Sequence, residues 1–483
     1  MGLPLVEELS SIPAPFDLFP RFLGTERPVL LDSALVDGRR GRFSLLTADP
    51  FLVVQSKGRQ ITVEGSGRRN RWEGDPFVAL RGVLASYRQQ PLPEPPTFQG
   101  GALGYFAYEL GRHVERLPAR TRDDLHLPEM NVGLYDWALV HDHSEQRAWL
   151  VATGWPEGTE PAARRRLAWV RRRLEGRSYP VAHPAGRPAS PDGPIAHGLR
   201  GTFTRERYLE AIRTAKAYIR EGDIYQVNLS QRFEADLAVD AWTLYRRLRQ
   251  VNPAPFAAFL GFPEVAVLSA SPEEFLRLEG RQVQTRPIKG TRPRGATDDE
   301  DRRLADDLAA SEKDRAENVM IVDLLRNDIG RVCEIGSVRV PELFAVETYP
   351  TVFQLVSTVT GRLREGLGAV DLLRACFPGG SVTGAPKVRA MEIIDELEPT
   401  ERSVYCGALG YISFGGDMLT SIPIRTLLVK DGRVYFQVGG GIVADSDPAL
   451  EYEETLHKAR AAFLALGCAE PLAVGISPGT ERR

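Results

Sequence analysis

Near its C-terminal end the chain writes three strands in close succession, "ALGYISF", "SIPIRTLLVK" and "RVYFQVGGGIV", and the tight turn Asp431-Gly432 joins the last two. A two-residue turn of this kind makes its flanking strands antiparallel neighbours. A parallel sheet would need a crossover of a dozen or more residues between them. Strands in hairpin succession, with helices elsewhere, predict an α+β fold and exclude a doubly wound sheet. A well-marked helix follows: Asp447 can cap it, Pro448 suits its first turn and Gly467 ends it.

The rest of the chain divides by texture. Residues 1–175 read as short strands and turns, such as "RFSLLTADPFLVVQ" and "RQITVEG", and form an N-terminal lobe. Residues 176–201 are rich in Pro and Gly and read as a linker or surface loop. From Thr202 a helix stopped by Gly222 runs into a strand, and the pattern of helices and strands continues to 468 as a second domain. Within it, "ATDDEDRRLADDLAASEKDRAENVMIVDLLRND" is a long helix or a helix pair. Residues 469–483 read as a tail. "GALGY" occurs twice, at Gly101–Tyr105 and Gly407–Tyr411, a faint sign of duplicated lobes.

Several function classes drop out. A net charge of -3 over 483 residues offers no basic surface for nucleic acid. The arginine run "ARRRLAWVRRRLEG" reads as a solvated helix face. Cys333, Cys376, Cys406 and Cys468 form no C-x-x-C pair, which speaks against a zinc site or a disulfide framework and suits a reducing cytosol. No leader pattern and no apolar run of membrane-spanning length occurs, so a cytoplasmic protein is expected.

Four constellations carry chemistry. Asp314 and Glu317 are three apart on a predicted helix, and Glu451 and Glu454 repeat that spacing on the last helix, with Lys458 on the same side. If the two carboxylate faces meet, they repel unless a divalent cation lies between them, and hard oxygen donors point to Mg²⁺. If they do not meet, they are solvated helix faces. "FPGGSVTGAPK" misses a phosphate loop, because Ala385-Pro386 stands where Lys-Ser/Thr is needed. Its Ser381, Thr383 and Lys387, like the glycines of "GGGIVADSD", can still offer donors or close backbone approach to a carboxylate. Arg425, read as lying within an apolar strand, needs an anion, whether a structural acid or a substrate carboxylate. Taken with Arg425 as the third constellation, Glu273 in "SASPEEF" is either a surface turn residue or a partly buried general acid.

The fourth constellation is Lys289 in "TRPIKGTRPRG". The chain holds seven lysines against 54 arginines, so an amine among three arginines stands out. Lysine can lose its proton when desolvated or crowded by cations, which arginine cannot. Arg286, Arg292 and Arg294 would lower its pKa if they converged on it. A plain anion-binding loop is the other reading.

Together these segments resemble the chorismate-utilising enzymes. The motifs that carry the resemblance run from about Thr202 to Ala465: "GDIYQVNLSQRF", "SASPEEF", "PIKGTRPRG", "KDRAENVMIVDLLRNDIGRV", "FPGGSVTGAPKVRAMEIIDELEP", "GALGYISF", "IRTLL" and "GGGIVADSDPALEYEET". The N-terminal segment, with "VLLDSA" and "GGALGYFAYE", is similar to the N-terminal domain of anthranilate synthase component I. The resemblance implies a two-lobed α/β sandwich of mostly antiparallel sheets with helices outside.

It also implies a chemistry. Anthranilate synthases read "PIAGTRPRG" where aminodeoxychorismate synthases read "PIKGTRPRG", as this chain does. The implied reaction is that of aminodeoxychorismate synthase component I, which forms 4-amino-4-deoxychorismate for p-aminobenzoate and folate. In it Lys289 is the nucleophile and Glu273 the proton donor. Glu317 and Glu454 resemble Mg²⁺ ligands, with Asp314 and Glu451 in support. Thr383, Tyr411, Arg425, Gly440, Gly441 and Lys458 resemble residues that hold chorismate. Gln226 stands where isochorismate-forming relatives carry a lysine, and Gln354 where anthranilate synthases carry a histidine. Ser33, Pro253 and Phe256 resemble the walls of a tryptophan pocket. No "GxCxGxQ" elbow is present, so ammonia is expected from a separate glutamine amidotransferase subunit in a heterodimer. The alternatives are anthranilate synthase component I and a non-catalytic subunit that binds chorismate or tryptophan.

Overall fold

The computed structural model describes residues 4–10, 12–36, 40–95, 97–176, 193–349 and 352–468. Its first half runs β1 (Leu5–Leu9), α1 (Pro15–Leu18), β2 (Val29–Asp32), β3 (Phe43–Thr47), β4 (Leu52–Lys57), β5 (Gln60–Gly65) and β6 (Arg68–Glu73). It continues through α2 (Pro76–Ala85), β7 (Gly101–Phe106), β8 (Met130–Tyr135), β9 (Trp137–Asp142), β10 (Arg147–Ala152) and α3 (Glu160–Glu175). Then come β11 (Ala196–Gly201) and α4 (Arg205–Glu221).

The second half opens with β12 (Gln226–Leu237), α5 (Ala241–Val251), β13 (Phe256–Gly261), β14 (Ala266–Ser271), β15 (Glu274–Glu279), β16 (Gln282–Thr285) and β17 (Ile288–Pro293). Next are α6 (Asp298–Ala310), α7 (Glu312–Gly330), β18 (Arg339–Thr348), β19 (Val352–Arg362), α8 (Ala369–Cys376), β20 (Gly384–Ala385) and α9 (Lys387–Leu397). It closes with β21 (Ala408–Ser413), β22 (Met418–Ser421), β23 (Thr426–Lys430), β24 (Arg433–Ile442) and α10 (Pro448–Leu466).

Two sheets of twelve strands each result. One has the order β1-β10-β9-β3-β2-β13-β14-β23-β24-β12-β11, with β20 beside β12. The other runs β17-β19-β16-β15-β22-β21-β7-β8-β4-β5-β6, with β18 beside β19. Both orders read symmetrically outward from a central pair, β2/β13 in one and β7/β21 in the other. Each strand from β1 to β10 thus has a counterpart in the second half, in the same chain order. The two "GALGY" copies are the centre of the second sheet: they pair with each other, Gly104 opposite Gly410.

Both faces of the central strands are buried. Val29, Leu45, Val267, Leu103, Tyr105 and Leu409 share one cluster, so the sheets face each other there. Leu30 and Phe259 point the other way, onto Phe19 and Trp242 beside and within the helices α1 and α5. The arrangement is an α+β sandwich with helices outside. The outer arginines of α3 pair with surface acids, Arg164 with Glu160 and Arg165 with Glu157, as a solvated face should.

Local signals placed the caps. Asp447 accepts from the backbone N–H of Ala449 and Leu450, and Gly222 and Gly467 end their helices in the left-handed conformation. The long acidic segment is two helices, because Ser311 ends α6 and caps α7. Two boundaries differ from the sequence reading. Within the expected linker, residues 177–192 lie outside the described residues and Ala196–Gly201 is a strand on the edge of a sheet, paired with β12. Each sheet also takes strands from both sides of that segment, so the halves are not separate sheets. The tail 469–483 lies outside the described residues.

At the centre of the second sheet a side chain is sterically barred. A Cβ on Gly104 would lie 2.1 Å from the Asn131 carbonyl oxygen, and one on Gly410 2.1 Å from that of Leu419. Gly410→Val should destabilise the protein by about 1–3 kcal/mol or more. A fall in the urea midpoint checks this, and an unchanged midpoint would contradict the central role of the pairing.

Candidate active site

The two acidic helix starts and the lysine strand line one cavity of about 690 Å³. It is walled by Glu273, Lys289, Asp314, Glu317, Arg425, Gly441, Glu451, Glu454 and Lys458 among the expected site residues, together with Arg292, Lys313, Ser381, Val382, Tyr405, Asn228, Gln354, Gln437, Gly439 and His457. Its ionisable lining is balanced, with five carboxylates (Glu273, Asp314, Glu317, Glu451, Glu454) against five cationic side chains (Lys289, Arg292, Lys313, Arg425, Lys458).

Glu273 and Arg425 occupy corresponding corners. The chain leaves one sheet for the other between β14 and β15, at Pro272-Glu273, and returns between β22 and β23, at Ile422–Arg425. Glu273 is buried there, and its backbone N–H is held by the Ser271 hydroxyl at 3.2 Å. Burial pushes its carboxyl above the usual range, against the opposing pull of Ser381, Lys289 and Arg40. A carboxyl so raised keeps its proton to higher pH than an ordinary carboxylate and can serve as a proton donor. Arg425 lies in a turn with a left-handed backbone (φ +51°), not within a strand. Its guanidinium reaches into the cavity, has no hydrogen bond or ion pair among the described residues, and burial lowers its pKa. The residue is exposed toward the cavity while protein surrounds it. An unpaired guanidinium so enclosed is a site for an anion.

Lys289 sits on a bulge. The ladder between β17 and β19 breaks between Ile288 and Thr291, and Gly290 between them takes φ +80°. A bulge re-aims the side chain beside it. A Cβ on Gly290 would come 2.8 Å from Cγ of Asp314, so the bulge packs directly on the start of α7. Lys289 Nζ donates a long hydrogen bond, 3.5 Å, to the Ser381 carbonyl. Burial lowers its pKa, Lys458 lowers it further, and the negative charges of Glu317, Glu273 and Glu454 oppose both. The neighbouring arginines take no part: Arg286 pairs with Glu347, Arg292 with Asp307 and Asp314, and Arg294 with Asp301.

The acid pairs occupy the first two turns of α7 and α10, where a helix N-terminus favours negative charge. Burial raises the pKa of Glu317, and the charges of Asp314 and Glu454 add to that. Burial likewise raises Glu451, although the Ser446 hydroxyl donates to it at 2.6 Å. Burial also acts on Glu454, but Lys458, 2.7 Å away, outweighs it and leaves the pKa lowered. Among the described residues no three acidic, histidine or cysteine groups converge closely enough to hold an ion. The donor chemistry nonetheless fits a hard divalent cation: oxygen-only acids from two helices face one cavity, and the charge of Glu454 on one helix raises the pKa of Glu317 on the other.

The structure also redistributes the expected substrate contacts. Tyr411 is remote from the cavity, since its strand sets it in the core between the sheets beside Phe98, with its hydroxyl on Thr97. The tyrosine in the cavity wall is Tyr405, six residues earlier, in the turn that precedes the strand. Thr383 turns its hydroxyl onto the Gly379 and Gly380 carbonyls, leaving Ser381 and Val382 as the lining residues of that turn. Lys387 is buried under the turn, donating to Asp328 at 2.6 Å and to the Cys376 and Pro378 carbonyls. Gly439 and Gly441 line the cavity, and Gly440 leaves room for the acids: a Cβ there would be 3.2 Å from Glu451 Oε2. Gln226 is buried with both side-chain amide atoms unpaired, its nitrogen 2.3 Å from where a Cβ on Gly441 would lie. Ser33 lies across the β2/β13 junction from Phe256, its hydroxyl donating to the Phe43 carbonyl, while Pro253 is exposed.

Two substitutions separate the charges that act on Lys289. Glu317→Gln should move its titration to lower pH, and Lys458→Met should move it to higher pH. With seven lysines in the chain, ¹⁵Nζ-resolved NMR titration can follow it, and unchanged titration in both variants would contradict this electrostatic account.

The comparisons with known proteins agree with this geometry. The model of the chorismate binding enzyme family matches residues 32–463. The chain is 49% identical over 431 residues to aminodeoxychorismate synthase component 1 of Klebsiella aerogenes, covering 89% of this chain and 91% of the relative. It is 46% identical over 435 residues to anthranilate synthase component 1 of Thermus thermophilus, covering 90% and 91%. The crystal structure of anthranilate synthase component I from Streptococcus pneumoniae TIGR4 superposes with a TM-score of 0.77 at 33% identity, covering 89% of this chain and 94% of that one. No helix among the described residues is long and apolar enough to cross a membrane. On the family match and the identity to these relatives, the chain belongs to the chorismate binding enzyme family.

Proposed function

We propose that this chain converts chorismate and ammonia to 4-amino-4-deoxychorismate and water, acting as the synthase component beside a separate glutamine amidotransferase. The observation that carries the reading is Lys289: an amine on a strand bulge, half-buried, with lowered pKa, in one cavity with a buried carboxyl of raised pKa, Glu273. Direct amination of chorismate at C2, the anthranilate reaction, has no use for that amine. The 47–49% identity to aminodeoxychorismate synthase components supports the same choice.

In this mechanism the neutral Lys289 amine attacks C2 of chorismate. The ring double bonds shift, and the C4 hydroxyl leaves as water with the proton of Glu273. Ammonia then attacks C4, the double bonds shift back, the lysine is expelled from C2 as the neutral amine, and a proton from the new C4 ammonium group returns to Glu273, so the enzyme returns unchanged. Arg425 and Lys458 bind the substrate's carboxylates, and the glycine-rich edge at Gly439–Gly441 lets backbone approach them. Glu317 and Glu454, with Asp314 and Glu451 behind them, would hold Mg²⁺. When bound, the ion supplies positive charge that neutralises a substrate carboxylate against these acids. Gln354 and Gln226, where relatives with other chemistries carry histidine and lysine, leave the cavity without those bases.

With chorismate, Mg²⁺ and ammonium, the purified chain should consume chorismate and yield p-aminobenzoate only after aminodeoxychorismate lyase is added. Anthranilate as the main product would overturn the reading in favour of the C2 reaction. Lys289→Ala should abolish 4-amino-4-deoxychorismate formation, and mass spectrometry of stalled wild-type enzyme should find a substrate adduct on the peptide containing Lys289. Glu273→Gln should slow turnover by about 10²–10⁴-fold. The wild-type rate should rise with pH as Lys289 loses its proton and fall as Glu273 loses its own, and Glu273→Gln should remove the falling limb.

A further inference from the structure

We propose that the buried ion pair Arg402–Glu398 is a positioning element for substrate binding, fixing two segments of the cavity wall through their backbones and lying against the tyrosine of a third. This rests on chorismate being the substrate. Neither residue lines the cavity, and both are almost wholly buried, at 2% and 4% exposure.

The pair is bidentate. Arg402 Nε donates to Glu398 Oε2 at 2.9 Å and Nη2 to Oε1 at 2.7 Å. A planar guanidinium holds its remaining donors at fixed angles, and here they are spent on two carbonyls. Nη1 donates to Val382 at 2.9 Å, and Nη2 to Asn228 at 2.7 Å. Val382 and Asn228 both line the cavity, one from the glycine-rich turn and one from β12. The guanidinium also lies 5.9 Å from the ring centroid of Tyr405, a third wall residue, and 4.7 Å from that of Tyr108. Glu398 completes the lock: its Oε1 accepts from both the backbone N–H and the hydroxyl of Ser230, each at 2.8 Å. Ser230 faces Gly439 across the β12–β24 ladder, and Asn228 faces Gly441. The main chain of Arg402 is anchored in turn, since Glu109 Oε1 accepts its N–H at 2.9 Å and that of Ser403 at 3.2 Å.

A buried ion pair is often no more stabilising than apolar side chains of the same volume. Its geometry here is better explained by what it holds. One side chain fixes strand and turn relative to each other through their carbonyl oxygens, which no apolar residue can do, and it packs beside the tyrosine. The groups it holds offer contact surface and amide groups rather than protons, so their displacement should weaken binding more than it slows the chemical steps.

The test is steady-state kinetics of the full chain with chorismate, Mg²⁺ and ammonium. Arg402→Lys keeps the charge but loses the fork. It should raise KM for chorismate by about 10–100-fold while kcat changes by far less. Arg402→Met should be worse than Arg402→Lys, and Ser230→Ala, which removes one bond to Glu398, should raise KM several-fold. A merely structural role predicts something else: fewer folded molecules, hence a lower apparent kcat with KM unchanged. That outcome in Arg402→Lys overturns the inference, and should that variant not fold, an unchanged KM in Ser230→Ala does so. Wild-type protein that consumes no chorismate overturns the functional reading itself, and the inference with it.

Discussion

The antiparallel pairing of the two halves, β2 against β13 and β7 against β21, is the constraint on which the rest of the structure depends. It makes each sheet continuous through both halves, so neither half closes its own sheet. It also demands glycine where the sheet centre is crowded, at Gly104 and Gly410, which are the same position of the repeated "GALGY". From that centre the strands are laid down in matching order on both sides, and the helices cover the outer faces.

The symmetry is broken where function is needed. Between β16 and β19 the second half inserts β17, α6, α7 and β18, whereas the first half has only a short turn between β5 and β6. Between α8 and β21 it inserts the glycine-rich turn, β20 and α9. These insertions deliver Lys289, Asp314, Glu317, Ser381 and Val382 to the cavity. The sheet-switching corners diverge as well. In the first half they carry Asp49 and Asp136, and Arg166 of α3 pairs with both, at 2.8 and 2.9 Å. In the second half they carry Glu273 and Arg425 beside an open cavity, and α10 contributes Glu451, Glu454 and Lys458. One corner is closed by its own charges, while the other leaves an arginine for an anion from solution.

Much of this was legible beforehand because it is local. Caps, turn glycines and the i, i+3 spacing of the acid pairs depend on neighbours in sequence, and they fell where the sequence put them. Lys289 was legible through composition, as a rare amine among arginines. The reason for its lowered pKa was not: burial dominates, and the flanking arginines each pair with an acid that only folding brings near. Tyr411 misled because the motif carries only one of two tyrosines six residues apart, and facing is decided by whether each is in the strand or in the turn before it. Lys387 misled for a similar reason, since its partner Asp328 is 59 residues away.

By itself, then, the sequence determined the α+β class, the helix limits, the family resemblance and the types of charge present, because short-range sterics and hydrogen bonding settle these. Only the tertiary structure decided which charges meet. The two acidic helix starts are over a hundred residues apart and face one cavity because β17 and β24, in different sheets, carry their partners to it. Arg402, unremarkable in sequence, became the tie between two wall segments because its guanidinium was buried between the carbonyls of a distant strand and a distant turn. Whether a charge is solvated, paired or left open is set by burial and by long-range neighbours, and neither is written in spacing along the chain.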